Sequence, residues 1–195
     1  DVNHLLRLLN LRRNELYRMA LAASVFFLVA VDDSIVKSVS AGVFNIRAGV
    51  ERLPEMYTWI ACIFALSMAL LAYLTPKVAR QRLLFAILAV LTAVLLVNTV
   101  VLAMVERGAP GYLSDSGFYP FLFVSSELVR SMANFQIWIV AGGICYTSRA
   151  KVLFPLLAAT TTLGDIVGGF LVRVLGGLLL SFQLYALAAL IMIAV

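Results

Sequence analysis

Charge is scarce in this chain. Asp, Glu, Lys and Arg make up 13% of its 195 residues, against about 25% in ordinary soluble domains. A water-exposed surface for a fold of this size is hard to build from so few charges, so a soluble globular protein is excluded. Histidine is scarcer still, with His4 alone, so no histidine cluster exists. Only two cysteines occur, Cys62 and Cys145. Both lie inside apolar runs, where a free thiol behaves as a small hydrophobe. They give neither a disulfide framework nor a metal site. The chain also lacks a Gly-rich phosphate loop, an HExxH and a CxxC. No nucleophile stands beside a base at a telling spacing. The expectation is a protein that is not an enzyme and carries no cofactor and no metal.

What fills the chain is apolar sequence. Hydrophobic residues make up 63% and the mean hydropathy is +1.02. The solvent for such a chain is the lipid bilayer, whose apolar core takes about 20 residues per helical crossing. Residues 83–105 supply 23 without a charge and 56–76 supply 21. The net charge of +5 could suit nucleic acid. The basic residues instead fall in short segments between apolar runs, as in cytoplasmic loops of membrane proteins, and no nucleic-acid partner is expected.

The pattern predicts an all-α polytopic membrane bundle of about six transmembrane helices. Residues 1–18, with leucines among Arg7, Arg12, Arg13 and Arg18, suit an amphipathic helix on the membrane surface or a polar flank of the first span. Residues 19–195 form the bundle. Spans are expected near 19–44, 54–75, 82–105, 118–147, 152–174 and from 178 onward. Pro54 suits a helix start, and the glycines and proline of 106–117 mark a loop. The sequence starts at Asp1 and ends at Val195 inside an apolar run, which reads as a piece of a longer chain. Nine Lys and Arg fall on the amino-terminal side of the spans and four, Arg47, Arg52, Arg107 and Arg173, on the other. That asymmetry predicts a cytoplasmic amino terminus. The expected location is a bacterial inner (cytoplasmic) membrane.

The informative charges are those inside the spans. A charge at bilayer depth costs a few kcal/mol or more and turns to a protein interior or a polar cavity. Asp33 and Lys37 stand four apart, acid first, the favourable order for a helical ion pair. Asp32 projects about 100° away and needs another partner. Either the first span is unwound or water-lined here, or residues 32–40 already emerge into the interface, with Lys37 snorkelling and the span confined to 16–31. In the fourth span, Glu127, Arg130 and Asn134 share one helix face. They form either a binding face for substrate or proton, or a structural ion pair. Gln136 and Trp138 point elsewhere and pack. In the fifth span, Gly164 and Gly168 make a small-xxx-small pattern that lets another helix come close. Asp165 beside it could meet Arg130 or Lys37, or be satisfied by the neighbouring threonines.

Six spans with a cytoplasmic amino terminus and a basic loop, LTPKVARQRLL, resemble the amino-terminal half of a major facilitator superfamily (MFS) transporter. The loop is similar in position and charge, without the glycine and aspartate of the superfamily motif. Within residues 121–170, Ser126-Glu127-Leu128, Trp138, Ala150-Lys151, Phe154-Pro155-Leu156 and Gly164 resemble the ATP/ADP translocase (nucleotide transporter) family. NEL at 14–16, DDSIV at 32–36 and ERLPEMYTW are similar to its first two helices. The resemblance implies secondary transport of a nucleotide or other organic anion, a second six-helix half as partner, and Asp33 and Glu127 as cavity residues. The family tends to place a lysine where this chain has Asp32, so ATP or ADP does not carry over. The candidate cavity residues are Asp32, Asp33, Lys37, Glu127, Arg130, Asn134 and Asp165, for a small-molecule substrate not named by the sequence. The alternatives are a non-transporting subunit on a degenerate transporter fold, docked on other membrane subunits, and a receptor or anchor for a further domain.

Overall fold

The structure, a computed structural model, describes residues 13–108, 117–144 and 150–195. Among them the chain is helical, with six α-helices. These are α1 (Arg13–Arg47), α2 (Leu53–Leu74), α3 (Arg80–Glu106), α4 (Phe118–Ile144), α5 (Ala150–Leu175) and α6 (Ser181–Ala194). Most of the surface segment expected over 1–18, the loop expected over 106–117 and the basic loop with Arg149 lie outside the described residues.

Sequence chemistry sets the helix ends. After α1, Gly49 turns the chain with φ of 86°, a left-handed conformation that costs glycine nothing. A single 3-10 turn, Val50–Arg52, follows. Pro54 then sits in the first turn of α2, where its missing N–H has no helical partner to lose. Gln183 begins α6 by accepting the Leu180 N–H on its side-chain oxygen at 3.0 Å.

Four segments are long and apolar enough to cross a membrane: Met19–Arg47, Val50–Leu74, Gln81–Glu106 and Leu153–Leu175. The chain thus has the helices of an integral membrane protein. The expected count of six is met in helices but not in qualifying spans. At 27 residues α4 is long enough, but Ser125, Ser126, Glu127, Arg130, Asn134 and Gln136 dilute its apolarity. Ser181–Ala194 (α6) is a shorter apolar helix of 14 residues.

The first helix is the axis of the packing. It runs unbroken for 35 residues and touches α5, α4 and α6, while α3 lies against α6 and α4, and α2 against α4. One expectation for its middle does not hold: the helix is not unwound at residues 32–40. Asp32, Ile35, Val36, Val39 and Ser40 are all buried there, because α1 has neighbours on several sides. Phe26, Val29, Leu95, Leu122 and Tyr185 belong to the main core, and Phe44, Met56 and Phe123 to a smaller one. Large apolar side chains also line the outside, among them Trp59, Leu66, Phe85, Val100, Ile166 and Phe170. Patches of this extent are unfavourable in water and suit acyl chains.

The glycine pattern of α5 is what brings it onto α1. A Cβ placed on Gly164 would lie 2.6 Å from both the Ala30 Cβ and the Phe27 carbonyl oxygen. One on Gly168 would lie 2.7 Å from the Ser34 Cβ and 2.8 Å from the Val31 oxygen. The two backbones meet at these glycines, and any side chain there forces them apart. Gly168→Leu is expected to destabilise the protein by about 1–3 kcal/mol through overpacking, read as a lower thermal midpoint in detergent. Gly169→Ala is the control. Its Cβ would meet nothing nearer than the Ser34 Oγ at 3.8 Å, and its midpoint should match the parent.

Candidate functional site

Spacing along α4 builds the first part of the site. Glu127, Arg130 and Asn134 are separated by three and four residues, so they rise along one face of the helix. The Arg130 guanidinium closes back on Glu127, with Nη2 at 2.6 Å and Nε at 3.2 Å from Oε2. Asn134 donates to the Arg130 backbone carbonyl at 3.2 Å. This is the acid–base stripe that the sequence pattern predicts.

The second part comes from α1. Asp33 faces α4 and takes two contacts there: Arg130 Nη1 at 3.5 Å from Oδ2, and the Asn134 amide at 3.0 Å from Oδ1. Arg130 therefore bridges carboxylates from two helices, and Asn134 ties the same two together. The side chains of Glu127, Asp33 and Arg130 are 8%, 14% and 26% exposed. The network is largely withdrawn from its surroundings yet open on one side.

That open side continues as a polar stripe across α1 and α5. Lys37, Ser38 and Asp165 are exposed beside it. Lys37 and Arg130 are both close enough to Asp165 to attract it electrostatically. The Ser34 hydroxyl donates to the Asp165 backbone carbonyl at 3.2 Å, a polar link between the two helices. Exposed charges in the middle of apolar helices cannot face acyl chains without a large cost. This face therefore calls for water in a cavity or for another protein surface.

Two expectations need correction. Asp33 and Lys37 do not pair along α1, since Asp33 is rotated toward α4 and Lys37 points outward. The carboxylate prefers a guanidinium and an amide on a packed neighbour to a flexible ammonium on an open face. The threonines do not satisfy Asp165 either: Thr160, Thr161 and Thr162 each donate to the backbone carbonyl four residues earlier. Asp32 lies deeper than the network and feels the charge of Asp33. It is 3% exposed, and its Oδ1 has no hydrogen-bond partner among the described residues.

Sequence reading missed a second polar layer. Asn98 on α3 donates to the Ser125 hydroxyl at 2.9 Å, and the Ser126 and Tyr185 hydroxyls lie 2.7 Å apart. These bonds join α3, α4 and α6 behind Glu127. The doublet Ser125–Ser126, next to Glu127 in an apolar run, is the signal that could have indicated them. Trp138 packs as expected, edge-on to Phe26 and stacked near Phe154, with ring centroids at 5.1 Å and 5.9 Å. Gln136 is buried at 3% exposure. Cys62 is a free thiol, and Cys145 lies outside the described residues. Among the described residues no three His, Cys, Asp or Glu side chains come together to hold a metal ion. The chemistry within reach is ion and hydrogen-bond exchange around one guanidinium, with nearby carboxylates able to take up a proton.

Removing the shared cation should be costly. Breaking a buried ion pair from one side typically costs about 3–5 kcal/mol, whereas replacing every charged partner can be close to neutral. Arg130→Met is expected to lower the unfolding midpoint in detergent strongly. The triple change Asp33→Asn, Glu127→Gln, Arg130→Met is expected to recover most of that loss. A triple variant as unstable as Arg130→Met would contradict the bridge.

Searches against known protein families, curated proteins and solved structures find no match to this chain.

Proposed function

We propose that the chain is the amino-terminal, membrane-embedded half of a secondary transporter working by alternating access, resembling an MFS protein of the ATP/ADP translocase type. The observation that carries this reading is the Arg130 bridge between Asp33 and Glu127, partly open within otherwise apolar helices. Transporters place substrate and coupling-ion sites near the bilayer midplane, between two repeats that rock about them. The second half would cover the polar stripe of Asp33, Lys37, Arg130 and Asp165, with the cavity between. Six crossings, a bacterial inner membrane and a cytoplasmic amino terminus belong to the same proposal.

The charges narrow the chemistry. The resemblance points to a nucleotide or other organic anion. Lys37 and Arg130 provide the positive charge here, against Asp32, Asp33, Glu127 and Asp165. An anion reaches Arg130 only by displacing one of its carboxylates. The Asp33 contact, at 3.5 Å, is looser than the Glu127 contact, at 2.6 Å, and gives way first. Asp33, displaced from the guanidinium, then takes up a proton, which couples the anion to proton movement. A polyphosphate meets too little positive charge for this exchange, so a monoanionic organic solute fits better than ATP or ADP.

One observation favours a second reading. Arg130 is already neutralised by carboxylates of its own chain, as in a structural ion bridge. On that reading the protein is a non-transporting subunit, and the polar stripe docks on a partner subunit of a larger membrane complex.

Uptake by the full-length protein in proteoliposomes, screened over organic anions with an imposed proton gradient, tests the proposal. Proton-driven uptake is expected, with Asp33→Asn losing its dependence on the gradient and Arg130→Lys losing at least about tenfold in kcat/KM. Transport of accepted solutes left unchanged by Arg130→Ala and Glu127→Gln would remove the site assignment. Absence of any uptake, together with a stable assembly on native purification, would favour the subunit.

A further inference from the structure

Two charged side chains beside the Arg130 network have no close partner of their own. Lys37 on α1 and Asp165 on α5 are both exposed. Among the described residues the ion pairs are those of Arg130 with Asp33 and Glu127, so neither Lys37 nor Asp165 closes one. The bond from the Ser34 hydroxyl reaches the Asp165 backbone carbonyl and leaves the carboxylate free. That carboxylate still lies within electrostatic reach of Lys37 and Arg130. The surface around it is built from small groups. Ser34, Lys37 and Ser38 share a face of α1, and Asp165 and Gly169 share one of α5. A Cβ on Gly169 would meet nothing nearer than the Ser34 Oγ at 3.8 Å, so α5 leaves the space one turn from Asp165 open.

Charges along apolar helices mark substrate and ion pathways, and a few placed polar groups fix how a ligand lies. The stripe offers two cations and one acid to a solute. Lys37 is free already, and Arg130 is freed on one side when a solute carboxylate displaces Asp33. Asp165, within reach of both cations, is the acid. The complement of that pattern is two carboxylates with an ammonium group between them. We propose that the solute is an acidic amino acid, with one carboxylate on Arg130, the other on Lys37 and the ammonium group on Asp165. The proposal rests on the transport reading and names the substrate class of that same site. Such a solute carries one net negative charge, as the charge balance around Arg130 favours. A dicarboxylate without the ammonium group brings added negative charge against Asp165. An amine without a carboxylate has nothing for Arg130.

The test is uptake by the full-length protein in proteoliposomes with an imposed proton gradient. The probes are labelled L-glutamate and glutarate, the same carbon chain without the ammonium group. Glutamate is expected to enter saturably, with glutarate at least about tenfold poorer in kcat/KM, because a site built to bond one group of its substrate rejects the analogue that lacks it. Asp165→Asn is expected to lower kcat/KM for glutamate at least about tenfold, the size of one lost charged hydrogen bond, and to remove the preference. Asp165→Glu should keep the preference, and Asp165→Ser replaces Asp165→Asn should that variant fail to fold. Glutarate taken up as well as glutamate by the parent overturns the proposal and leaves anion transport standing. So does an unchanged preference in a folded Asp165→Asn or Asp165→Ser, or uptake of other organic anions with glutamate refused. Refusal of glutamate and of every organic anion removes the transport reading and this proposal with it.

Discussion

A guanidinium in an apolar bundle has to be surrounded by acceptors, and Arg130 obtains them from two helices. Glu127 comes from its own helix at 2.6 Å and Asp33 from the first helix at 3.5 Å. Leaving either charge alone at bilayer depth would cost far more than the pair does. The rotation of α1 and α4 about their axes is therefore constrained together. Asn134 reinforces that choice through the same aspartate. With both helices oriented in this way, Asp32 is directed inward and Lys37 outward.

The bridge holds its place because α1 is clasped from the other side. The backbone of α5 rests on α1 at Gly164 and Gly168, and Ser34 bonds across that contact. Dispersion and short-range packing dominate there, since lipid offers no hydrophobic gain for bringing two apolar helices together. On the far side of α4 the Asn98–Ser125 and Ser126–Tyr185 bonds fasten α3 and α6. The bundle is thus held by polar bonds on its inner seams and by close backbone contact on one outer seam. Its apolar side chains cover much of the remainder.

This arrangement separates two kinds of polar group. The Arg130 network is satisfied and partly open, which suits a group that can exchange one partner for another. Asp32 Oδ1, Asn98 Oδ1 and Gln136 Oε1 are buried and lack partners. Each such atom typically costs about 1–3 kcal/mol. For Asp32 the same burial keeps a carboxyl group away from solvent, beside the charge of Asp33.

The sequence by itself determined the solvent and the helices. Scarce charge and long apolar runs leave only a bilayer, and Pro54 marks where a helix begins. The 127–130–134 spacing placed one acid–base–amide face on α4, and the Gly164–Gly168 spacing identified the close contact of α5. Both are local properties of a 3.6-residue helix and can be read from spacing alone. Which partner Asp33 takes could not be read in this way. Lys37 is the right distance along the chain, but helix rotation is set by packing, and α5, α4 and α6 together turn Asp33 toward Arg130. The Asn98–Ser125 and Ser126–Tyr185 bonds were equally hidden. They join residues far apart in sequence, and only the tertiary structure decides which helix faces meet.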